Sequence, residues 1–145
     1  MEIIKENCMD IISDKYPEFK PIWKSYKLEN AVVDEEIFGK THDWGDISLW
    51  SGMNKFSDYV DKLLTQRNQN VILIKEIFSY AEHLLTKGDE DVQNAVCTCF
   101  LENLLNVTPE QINPKNYIGF LGTKSKEYCR AWDEFTGIKT EGLWD

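Results

Sequence analysis

An all-α fold is predicted from three observations. Apolar residues recur at three- and four-residue spacing along most of the chain. Runs of alternating apolar and polar residues, the mark of half-buried strands, are scarce. Pro17, Gly88 and Gly137 fall where the periodic stretches should stop. With 145 residues, of which 42% are hydrophobic and 28% charged, the chain is long enough for one core without disulfides or metals. The expectation is a single helical domain over residues 1–145, a bundle of about six to seven helices.

The elements follow in order. Ile3, Ile4, Cys8, Ile11 and Ile12 mark a first helix that should end before Pro17. Phe19, Ile22, Trp23 and Tyr26 repeat the pattern in a second, with Pro17 or Pro21 near its start, where proline is tolerated. Residues 29–51 lose the period and contain Gly39, Gly45 and three aromatics, so a long irregular segment is expected there. A third helix begins between Ser51 and Asn54 and carries Phe56, Tyr59, Val60, Leu63 and Leu64. A fourth runs through Ile74, Ile77, Phe78, Ala81, Leu84 and Leu85 to Gly88, placed as a C-terminal cap. Asp89 should cap a fifth, with Val92, Ala95, Val96, Cys99, Phe100 and Leu104 on its apolar face. The two helices flanking Gly88 read like a HEAT-type helical hairpin, although no period repeats along the chain. A last helix bears Tyr128, Cys129, Trp132 and Phe135 and ends at Gly137, leaving residues 138–145 as a tail.

Charge narrows the function. Twenty-five acids against sixteen bases give a net charge of −9. A nucleic-acid binder needs clustered Lys and Arg, and no such stripe exists, so no direct nucleic-acid contact is expected. No window approaches the ~20 apolar residues of a membrane span, and Met1 to Lys5 lack the features of a signal peptide. A cytosolic protein without membrane contact is expected. Segments 29–46 and 82–110 each hold six acids and one base, for a net of −5 apiece, and the remainder is nearly neutral. Two readings stand for this excess: solvated helix ends and loops, or a surface that steers a basic partner. In the second segment Asp89, Glu90 and Asp91 also complement the macrodipole of the fifth helix.

Catalytic and metal signals are weak. Cys8, Cys97, Cys99 and Cys129 contain no CxxC pair and read as reduced, buried thiols. His83 reads as a helix-surface residue. His42, in Thr41-His42-Asp43-Trp44-Gly45-Asp46, has the residue types for metal or acid–base work, but also for an Asx turn. Gly119-Phe120-Leu121-Gly122 lacks the lysine and serine of a phosphate loop. No cofactor, no metal and no enzymatic activity are expected. Trp23 and Trp132 fit apolar helix faces and should be core. Trp44 and Trp50 lie in or beside the acidic segment, where they serve either as interface anchors or as pins holding the segment to the core.

Three segments carry a family resemblance: Gly88-Asp89-Glu90-Asp91-Val92-Gln93-Asn94-Ala95, Phe100-Leu101-Glu102-Asn103-Leu104, and Phe120-Leu121-Gly122-Thr123-Lys124-Ser125-Lys126-Glu127-Tyr128-Cys129 with Trp132. Over residues from about 53 to the end, the chain resembles immunity proteins of contact-dependent growth inhibition and related polymorphic toxin systems. The resemblance implies a bacterial all-helical protein that neutralises a cognate toxin domain, frequently a nuclease, by binding it, and it transfers no catalytic residues. The expected partner is a basic nuclease domain, met by Asp34, Glu35, Glu36, Asp43 and Asp46 for charge and Trp44 as anchor. The competing expectations are a general helical interaction or scaffold module and a small metal protein centred on His42, Asp43 and Asp46.

Overall fold

Seven α-helices follow one another along a computed structural model that describes the backbone of residues 2–38 and 44–144 and the side chains of residues 2–29 and 49–144. Helix α1, Cys8–Lys15, stops at Tyr16, whose extended backbone is what the ring of Pro17 demands of the residue before it. Helix α2, Lys20–Phe38, carries Pro21 in its first turn, where the missing N–H has no intrahelical partner to lose. Helix α3 spans Trp44–Thr65.

These bounds correct the expected irregular segment over 29–51. The helical backbone continues to Phe38 and resumes at Trp44, and only residues 39–43 lie outside the description. Between Pro21 and Gly39 no helix breaker intervenes, and Leu28, Ala31, Glu35 and Glu36 are strong helix formers. Acids interrupt the apolar stripe, so periodicity fades while helical propensity does not.

Helix α4, Val71–Lys87, is capped by Asn70, which accepts from the Leu73 N–H at 3.1 Å. Helix α5, Glu90–Ala95, is capped by Asp89, which accepts from the Val92 N–H at 2.8 Å. The same helix widens into a π-helical turn over Val96–Leu101 before regaining α geometry in α6, Glu102–Asn106. The Asn103 amide donates to the Cys99 carbonyl within the widened stretch and to Asn54 on α3, at 2.9 Å for the latter. Short 3₁₀ turns at Pro114–Asn116 and Ile118–Phe120 lead to α7, Thr123–Thr136. Gly137 ends α7 in the left-handed conformation, φ 76°, as the sequence predicts.

The core lies where α3 and the π turn meet. Phe56 on α3 sits 5.5 Å from Tyr16, 5.1 Å from Phe19 and 5.9 Å from Phe100, and Phe100 is 5.5 Å from Phe78 on α4. Aromatic pairs at these separations add about 0.5–1.5 kcal/mol each beyond burial. The N-terminal stretch is tied to the α4–α5 joint, where the Asp89 N–H donates to the Ile3 carbonyl at 3.0 Å.

The end of the chain is not a free tail. Leu143 is buried, and its carbonyl accepts from the Arg130 guanidinium at 3.0 Å. Asp133, buried on α7, accepts from the Thr140 N–H (2.7 Å), the Thr140 hydroxyl (2.8 Å) and the Trp144 indole (3.0 Å). Trp23 is core as expected, but Trp132 is only half-buried and Phe135 is 82% exposed.

Candidate functional site

Carboxylates of the second acidic segment hold the helices together. In 82–110, Glu82 on α4 reaches across to the first turn of α7. One oxygen accepts from the Lys124 N–H, the other from the Ser125 N–H and hydroxyl, all at 2.9 Å. Asp89 caps α5 and also accepts from the Lys5 N–H at 3.1 Å. Glu102 accepts from the Tyr128 hydroxyl. Half the acids of this segment are therefore committed to holding helices together, and Glu90, Asp91 and Glu110 are exposed.

In 29–46, Asp34, Glu35 and Glu36 ride on the backbone of α2, and Trp44 and Asp46 on the first turn of α3, two helices that pack on each other. The side chains of these five residues, and Asp43 and His42 entirely, lie outside the described residues. Glu29, the first acid of the segment, is exposed beside a shallow groove lined by Pro21, Ile22, Ser25, Tyr26 and Lys55. Among the described residues no cation pairs with it.

A cleft that sequence reading did not find opens where α1 passes into α2. It is lined by Lys15, Tyr16, Pro17 and Glu18, by Tyr59 of α3, and by Leu73 and Glu76 of α4, and its volume is about 330 Å³. Glu18 is exposed and accepts from the Tyr59 hydroxyl at 3.3 Å. The Lys15 ammonium pairs with Glu76 at 3.1 Å and lies 4.9 Å from the centre of the Tyr80 ring. Burial, with the Glu18 carboxylate, pushes the Tyr59 phenol up to about 12. Burial, followed by hydrogen bonding and charge from the Glu76 carboxylate, raises Tyr16 further still. Both phenols are neutral hydrogen-bond donors at physiological pH. Beside Leu73, the first turn of α4 leaves Val71 and Ile72 51% and 84% exposed. No local motif announces this site, because its residues come from three separate stretches of sequence.

A second apolar region lies at the end of the chain. Phe135, Ile138 and Trp144 are exposed, and Ile138 borders another cleft of about 330 Å³ between residues 105–109, Pro114, Tyr117 and residues 139–141.

The nucleophiles are quiet. Burial pushes the thiols of Cys8 and Cys129 up to about 12 and that of Cys97 up to about 11, which suppresses the thiolate. His83 is exposed, its ring stacked 5.6 Å from that of Tyr80. Among the described residues no group of three His, Cys, Asp or Glu could hold a metal, and no helix is long and apolar enough to cross a membrane.

No curated protein and no solved structure matches the chain. A family described as a domain of unknown function, DUF7674, matches residues 9–137, from the second residue of α1 to the glycine that ends α7. The match takes in every helix described above, and the chain belongs to the DUF7674 family.

Proposed function

We propose that this chain is an immunity-type binding protein that neutralises a cognate toxin domain, a basic nuclease, by covering its nucleic-acid site. The observation that supports the reading is the charge concentrated in the segment 29–46, whose first acid, Glu29, is exposed. The acids of 82–110 are substantially consumed by capping and cross-helix bonds. The segment 29–46 concentrates a net −5 on α2, the start of α3 and the residues between them, beginning with an exposed Glu29. Carboxylates compete with phosphates for the Lys and Arg groups of a nuclease site. Complementary fields also raise the encounter rate, which suits an inhibitor that must reach a toxin before the toxin reaches its substrate.

The direct experiment mixes the purified chain with the protein domain encoded immediately upstream of its gene and measures complex formation and nuclease activity. Stoichiometric inhibition is expected. A correctly folded upstream domain that neither binds nor loses activity would overturn the reading. A second reading, a helical interaction module with an endogenous partner, is favoured by the exposed Phe135, Ile138 and Trp144, which charge steering does not require.

A further inference from the structure

We propose that the cleft at the α1–α2 junction is a subsite for the guanidinium group of an arginine side chain on the basic partner, an inference that rests on the functional reading above.

Two features of the cleft select this group. The first is the uncompensated carboxylate. Glu76 already has a cation, the Lys15 ammonium at 3.1 Å, whereas among the described residues Glu18 has none and accepts only a long 3.3 Å bond from Tyr59. A guanidinium offers a planar fork that meets a carboxylate through two parallel N–H bonds, which an ammonium cannot do.

The second is the shape and chemistry of the walls. Tyr16 and Tyr59 supply aromatic surface, Pro17 and Leu73 apolar surface for an aliphatic stem, within about 330 Å³. That volume is at the small end of ligand sites and suits a single side chain better than a cofactor. The protein's own Lys15 shows the preference at one edge: its ammonium sits between Glu76 and the rings of Tyr80, at 4.9 Å, and Tyr16, at 6.0 Å.

The test uses the intact chain with tyrosine rings labelled for NMR, titrated with N-acetylarginine methylamide and, in parallel, with the uncharged N-acetylcitrulline methylamide. Saturable shifts of the Tyr16 and Tyr59 ring signals are expected with the arginine compound and not with the citrulline one. Glu18→Gln should weaken the arginine titration roughly tenfold, the scale of one charge-assisted hydrogen bond. Equal shifts with both compounds, or shifts confined to the 29–46 or 135–144 regions, would overturn the subsite. The upstream toxin domain supplies the second arm. If it binds wild-type chain and the Glu18→Gln variant equally, the subsite is refuted and the immunity reading survives. If it binds neither while acetylarginine still moves the two rings, the immunity reading fails and the guanidinium site stands.

Discussion

Glu82 and Ser125, 43 residues apart, form a helix cap in which the capping carboxylate belongs to a different helix. One Glu82 oxygen accepts both the Ser125 N–H and its hydroxyl at 2.9 Å. Gly122, at the N-cap position of α7, has no side chain with which to do this. The carboxylate thereby satisfies N–H groups that the start of any helix leaves without partners, and places negative charge where the macrodipole favours it. Glu82→Ala should cost about 1–2 kcal/mol, the range for losing a side-chain cap. Glu82→Gln should retain part of that, since one amide oxygen still accepts. Urea midpoints of the three proteins check the order.

Asp133 performs the corresponding task for the end of the chain, where it gathers Thr140 and Trp144 onto α7. Asp133→Ala strands a backbone N–H and an indole N–H together, so a loss of about 2–4 kcal/mol is expected from two unsatisfied groups. The Trp144 indole proton should shift toward its solvent-exposed position in an NMR spectrum while the Trp23 indole, bonded to Asp10, stays in place. A spectrum with Trp144 unchanged would show that Asp133 does not hold the strap.

Gly88 stands at the α4–α5 joint with φ −72°, so handedness does not explain the residue. Space does. A Cβ there would lie 2.6 Å from the Leu84 carbonyl oxygen and 2.6 Å from a Val92 methyl, one of them rigid backbone. Gly88→Ala should therefore destabilise by about 2 kcal/mol or more through overpacking, with thermal denaturation as the readout. Gly119, whose Cβ would meet nothing within 4 Å, is the matched control. Gly119→Ala should be near neutral.

The same residues show which parts of the fold were legible in sequence. Asp89 and Gly137 were readable because capping is local: the residue, its spacing and the helix it serves lie within one turn. Gly88 was placed at the right boundary for a reason that sequence cannot supply, a close approach rather than a left-handed cap. Residues 29–38 were misread because acids mask the apolar stripe of α2 without lowering its helix propensity. Leu143 and Trp144 give no local signal, since the hydrogen bonds that hold them come from Arg130 and Asp133 on α7. The Tyr16 cleft is non-local in the same way. It exists only after α1, α3 and α4 have packed.

Asp61 on α3 gives the stability a pH dependence of defined sign. Burial, and then repulsion from Asp58, raise its carboxyl from 3.8 to about 6, and its Oδ1 is buried without a partner. In the window from about pH 4 to about pH 6 the folded chain keeps a proton that the unfolded chain has released. This group therefore makes stability fall as pH rises through that window and adds no further slope above it. Asp61→Asn removes the ionisation while keeping the shape. The variant should be more stable than wild type near pH 7 and no more stable near pH 4. Because Asp61 is only partly buried, solvent screening keeps the gain small, about 1 kcal/mol. Urea titrations at the two pH values check it; an equal gain at both would assign the effect to packing instead.

The acidic segment makes the last prediction. If Glu35, Glu36 and Asp43 steer a basic partner, their contribution lies in the encounter, because charges at an exposed site act over a Debye length of about 8 Å in physiological salt. Replacing all three by Lys changes the net charge of 29–46 from −5 to +1. Association with the proposed toxin partner should slow by about one to two orders of magnitude at low salt, within the span that steering commands. The wild-type rate should fall steeply as salt is added, and the rate of the triple variant should stay flat or rise. Dissociation should change less, since screened rim charges contribute mainly to the on-rate. Stopped-flow association at several salt concentrations separates the two. If the rates of both proteins fall on one salt curve, the acids of 29–46 do not steer, and the excess negative charge is a solvated helix surface.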